Sequence, residues 1–160
     1  MANDHIATYL NDHLAGSVVA LELLGSLEAA HGKTPLKRFF TELRIEVTDD
    51  RLELERLLSH LQLGQSPLRK AAAWIVEKVT ALKLKLDDSA SEGLGMLEAL
   101  EALSLGIEGK KSLWRALAVT SKHLTDLQIL DYERLIERAD VQRNKVESLR
   151  LEVAVTALAS

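Results

Sequence analysis

An all-α bundle of long helices is the fold class the sequence predicts, and three observations predict it. Apolar residues recur at three- and four-residue steps over most of the chain, both prolines sit where helices begin, and no β-branched alternation of the kind that marks strands occurs. At 160 residues the chain suits one compact domain over positions 1–160.

Taken in order, the first helix is expected over about 4–31, closed by Gly32 with His31 in its last turn, as a C-terminal stop should look. Thr34 and Ser66, both N-cap residue types, precede Pro35 and Pro67 and start helices over about 35–62 and 67–86. The third helix carries the stripe Leu68, Ala72, Ile75, Val79, Leu82 and Leu86, which makes it amphipathic. Asp87 to Gly95 is rich in Asp, Ser and Gly and reads as a loop, before a long helix over about 92–122. A short connection through Leu130 leads to a last helix, about 131–158, with Tyr132, Leu135, Ala139, Gln142, Val146, Leu149, Val153 and Thr156 along one seam.

Composition excludes several chemistries. No cysteine is present, so disulfides, thiolate metal sites and cysteine nucleophiles are absent. A net charge of −4 opposes non-specific nucleic-acid binding, which needs a basic surface. The start, Met1 to His5, lacks the basic-then-apolar pattern of a signal peptide, so a cytoplasmic location is the expectation. The apolar stretch 14–27 is interrupted by Gly16, Ser17, Glu22 and Ser26, and no membrane span is expected from it. Residues 67–86 stand apart with 5 basic against 1 acidic residue. Arg69, Lys70, Lys78, Lys83 and Lys85 suggest a membrane-surface or partner helix, but the preferred reading is a solvated outer face laid on an acidic bundle.

Catalytic motifs are scarce. Gly106 to Ser112 imitates part of a phosphate loop but lacks the first glycine and the strand-to-helix context. Glu28 and His31 have ligand spacing, yet His31 lies at a helix end where it serves the cap and dipole. More informative is the second helix, whose seam Leu36, Phe40, Leu43, Val47, Asp50, Leu54, Leu57, Leu61 is broken once, by a carboxylate. The other long helices have polar breaks too: His13 and Ser17, Lys110 and Lys111, and Gln142.

Whether these breaks meet depends on helix direction. A third helix of about 20 residues spans about 30 Å, the length of the bundle, so it can cross from end to end. The fourth helix then runs parallel to the second, and the levels of His13, Asp50, Lys110 and Gln142 agree to about 6 Å. A polar layer at mid-height is predicted, with Asp50 paired to Lys110 or Lys111 and supported by Gln142 and His13; Asp50 turned to solvent at a helix edge is the competing reading. Gly16, Gly106 and Gly109 fall at the same level and are expected to let backbones approach.

Two helices, a crossover and two more helices form the topology of the ferritin-like bundle. The chain also resembles a family of uncharacterised bacterial ferritin-like proteins, through Tyr9 to Gly16, Ala73 to Lys78 with Leu82 to Leu86, and Leu100 to Lys110 with Leu113 to Leu117. Metal-binding ferritin-like proteins use Glu on two helices and Glu-x-x-His on the other two. Against that pattern this chain departs at every station, with Ser17 beside His13, Asp50 followed by Glu53, Lys110 or Lys111, and Gln142 followed by Lys145. A lysine repels a divalent metal, so no metal, cofactor or catalytic residue is assigned.

The leading expectation is a non-enzymatic structural or interaction module that self-associates as a homodimer or meets another protein partner. The alternative is an iron- or manganese-binding redox or storage protein, with one metal at Asp50, His13 and Glu46 or Glu53. An apolar ligand between the helices is a third reading.

Overall fold

The computed structural model describes residues 2–65, 71–88 and 92–159. Among them are five α-helices: α1 (Ala2–Ala30), α2 (Leu36–His60), α3 (Ala71–Asp87), α4 (Glu92–Thr120) and α5 (Tyr132–Ala159). A 3-10 turn, Thr125–Leu127, lies between the last two, and no strand occurs among the described residues. The class is therefore all-α, and the helices described from end to end match their sequence-predicted ranges closely.

Side-chain pairs along the helices give their directions. Glu101 meets Arg150 and Glu108 meets Arg143, so α4 and α5 are antiparallel. Glu46 meets Lys145 and Glu53 meets Arg134, so α2 and α5 are antiparallel as well. It follows that α4 runs parallel to α2, the direction an end-to-end crossover requires. Gly64, just beyond α2, accepts a hydrogen bond from Asn11 near the start of α1, whereas Leu86 packs with Leu23, Leu27 and Phe40 at the other end. Helix α3 thus crosses the bundle, packed on α1 and α4. Two of its lysines face acidic neighbours, Lys83 on Glu22 of α1 and Lys85 on Glu98 of α4.

The apolar stripes become two clusters of buried side chains. One contains Leu24, Phe40, Val47, Leu100 and Ile107; the other contains Leu10, Leu54, Leu113, Trp114 and Leu135. Asp50 lies on α2 between Val47 and Leu54, and Lys110 lies on α4 between Ile107 and Leu113, at the boundary of the two clusters. Of the α3 stripe, Val79 and Leu86 are buried and Leu82 is partly buried. The side chains of Leu68, Ala72 and Ile75 lie outside the described residues, as do those of Arg69, Lys70 and Trp74 and the Ser66–Pro67 start.

Several local expectations are corrected. Thr34 does not cap α2: its hydroxyl donates to the His31 carbonyl, and Pro35 precedes the helix in right-handed backbone without a side-chain cap. Gly32 does not close α1 with the left-handed turn of a glycine stop, since no described glycine has positive φ. Instead His31 Nδ1 donates to the Leu27 carbonyl at 2.9 Å and supplies a side-chain cap. The loop expected over 87–95 is shorter, because α4 takes in Gly93 and Gly95. Gly95 is there for contact: a Cβ on it would stand 2.9 Å from the Lys85 Cβ and 3.0 Å from its carbonyl carbon.

By length and composition α1 can cross a membrane, its window Asp4–Ala30 reaching a mean hydropathy of 1.2. In the bundle its stripe Leu10, Leu14, Leu23, Leu24 and Leu27 is buried against other helices.

Candidate functional site

Asp50 is 2 % exposed, and both of its oxygens are occupied. Oδ1 accepts from Nε of Arg138 at 2.7 Å and from a terminal nitrogen of the same guanidinium. Oδ2 accepts from the Lys110 ammonium and, at 3.0 Å, from Nε2 of Gln142. The remaining amide oxygen of Gln142 accepts from Lys110 Nζ at 2.5 Å. Three helices, α2, α4 and α5, therefore converge on one carboxylate. A buried charge loses hydration, and this set of charged donors is the compensation that holds it.

Helical spacing explains how the partners arrive. Arg138 and Gln142 are four residues apart on α5 and so share a face one turn apart. Gln142 has no exposed surface and fills the seam, while Arg138 reaches in from the edge. Desolvation pulls the Lys110 ammonium below its ordinary pKa, and the Asp50 charge and hydrogen bond oppose that fall.

Of the residues predicted for the layer, Asp50, Lys110 and Gln142 meet. Lys111 does not join them: it turns to Asp140 on α5 at 2.5 Å, because adjacent helix positions point about 100° apart and only one can face the seam. His13 lies against the Tyr9 ring, with centroids 4.9 Å apart, and makes no hydrogen bond to the layer among the described residues. Burial lowers its pKa, with Asp12 acting in the opposite direction. His13 does line a cavity of about 240 Å³ together with Asp50 and Lys110.

Arg138 was missed by the sequence reading. Its signal was its place one turn before Gln142, beside the seam position Leu135. Gly16, Gly106 and Gly109 also differ from expectation: a Cβ on any of them would meet nothing within 4 Å, so they line the cavity and draw no backbones together.

Two other carboxylates near this level, on the same helix as Asp50, face cations. Glu46 meets Lys145 at 2.8 Å, and Glu53 meets Arg134 at 2.9 Å and Arg56 at 3.3 Å. Glu28 and His31 diverge: the carboxylate goes to Arg44 and Thr41, the imidazole to the end of its own helix. No group of three or more His, Asp or Glu side chains placed to hold a metal ion occurs among the described residues. The phosphate-loop-like stretch Gly106 to Ser112 lies inside α4. Comparison of the chain with family models, with curated proteins and with solved structures finds no match.

Proposed function

We propose that the chain is a non-enzymatic helical bundle in the ferritin-like arrangement, serving as a structural or protein-interaction module. The observation that carries this reading is the saturation of Asp50 by Arg138, Lys110 and Gln142. A carboxylate so held has no lone pair directed at a metal, and two neighbouring cations oppose a divalent ion electrostatically. The arrangement is supported by two antiparallel pairs, α1 with α2 and α4 with α5, joined by a helix that crosses the bundle.

Self-association belongs to this reading. Ile45 and Leu52 stand seven residues apart on one face of α2 and are 56 % and 55 % exposed. Sedimentation equilibrium of Ile45→Glu and Leu52→Glu against the unaltered chain tests the face, a dimer dissociating in the variants being the expected result.

Metal analysis of protein purified without chelators tests the whole. Iron and manganese well below one per chain are expected; near-stoichiometric metal, lost in Asp50→Asn, would replace this reading with a metal-binding one.

A further inference from the structure

The cavity beside the charged layer has features that the layer does not explain. It lies between α1, α2 and α4, and its walls are chiefly apolar, with Val47, Leu103, Ile107 and Trp114 among them. At about 240 Å³ it is somewhat smaller than the roughly 300–1,000 Å³ of sites for drug-sized molecules, which suits a compact ligand. Gly16, Gly106 and Gly109 keep it open: glycine is a poor helix residue, and these three face space where a side chain would otherwise stand.

The charged layer says what would occupy it. Asp50 sets one negative charge against the positive charges of Lys110 and Arg138. Lys110 spends two of its three N–H donors, on Asp50 and Gln142. It also lines the cavity, which puts the spare ammonium donor at the cavity wall. Trp114, one turn further along α4, adds ring surface to the same wall, its indole N–H being buried.

We propose that the cavity binds a small carboxylate with an apolar body, its head accepting a hydrogen bond from Lys110 and its body lying against Val47, Leu103, Ile107 and Trp114. A negative charge balances the layer, and a hydrocarbon body matches the walls. Asp12 and Arg51 also line the cavity: Asp12 is exposed, and Arg51 is paired with Glu55 at 2.8 Å.

Octanoate and octanol, equal in chain length and different in charge, are the probes. The full ¹⁵N-labelled chain is titrated with each while the two indole N–H resonances, assigned with Trp74→Phe, are followed by NMR. A saturable shift of the Trp114 resonance with octanoate is expected, with octanol at least about tenfold weaker. Gly109→Leu and, separately, Gly16→Leu should fill the space, keep the thermal transition of the unaltered chain and weaken octanoate binding by about tenfold or more. An unmoved Trp114 resonance, equal binding of octanol, or unaltered octanoate binding by either folded leucine variant would overturn the proposal.

Discussion

At the scale of single residues the chain's most consequential choice is Asp50 in an apolar seam. Removing it leaves Lys110 and Arg138 facing one another, and loss of one partner from a buried charge pair costs about 3 kcal/mol or more. Asp50→Ala should therefore lower the urea unfolding free energy by about that amount. Lys110→Ala leaves Asp50 with Arg138 and Gln142 and should cost less, about 1–3 kcal/mol, and the double variant should cost less than the sum. Lys111→Ala is the contrast: its partner Asp140 is 45 % exposed, so the change should stay within about 1 kcal/mol. Strict additivity of Asp50 and Lys110 would contradict the pairing. His13 gives the pH dependence. Burial holds its folded pKa below 6.5, so the unfolded chain binds more protons between the folded value and 6.5. Stability should rise with pH through that window, and the His13 contribution should be lost on acidification through it and stay level below. Urea midpoints at pH values of about 5.5 and about 7.5 should differ less in His13→Gln than in the unaltered chain.

At the scale of elements, helix ends and helix contacts set the boundaries. Helix α2 ends with Leu63 N–H bonded to the Leu58 carbonyl and Gln62 N–H bonded to Ser59, both at 3.0 Å, with Gln62 in left-handed backbone at φ 54°. That double bond is the stop that glycine makes most easily, because a Cβ is strained there. Gln62→Gly should raise stability by about 0.5–1 kcal/mol in thermal or urea unfolding. Gly95→Ala should do the reverse, by about 1–3 kcal/mol, since the new methyl meets the α3 backbone at Lys85. A stabilised Gly95→Ala would mean that α3 and α4 are not packed this closely. The start of α5 is built more conventionally: Asp131 accepts from the Arg134 N–H and caps the helix. The Tyr132 hydroxyl donates to the Leu127 carbonyl at 2.6 Å, which ties the helix to the preceding turn. Burial pushes that phenol's pKa up to about 12.

At the scale of the whole molecule, the charged layer at the boundary of two apolar clusters couples α2, α4 and α5 without being needed for burial. Replacing Asp50, Lys110, Arg138 and Gln142 together by Leu, Met, Met and Leu should leave urea stability unchanged or raise it by about 1–4 kcal/mol. A large loss would make the layer a net source of stability. The sequence by itself determined the helices, because three- and four-residue apolar spacing needs only local geometry, and it determined that Asp50, Lys110 and Gln142 break their seams. It also determined that the third helix is long enough to cross. Only the tertiary structure decided which cation takes Asp50. Lys110 and Lys111 are equal in chemistry and adjacent in sequence, and the rotation of α4 about its axis, set by packing against α5, turns one to Asp50 and the other to Asp140. It also brought in Arg138, whose edge position looks solvated until α2 lies beside it. The glycines show the same limit: sequence marked their level, but whether a missing side chain draws helices together or leaves a cavity depends on what stands opposite. At Gly95 that is the α3 backbone, and at Gly16, Gly106 and Gly109 it is open space.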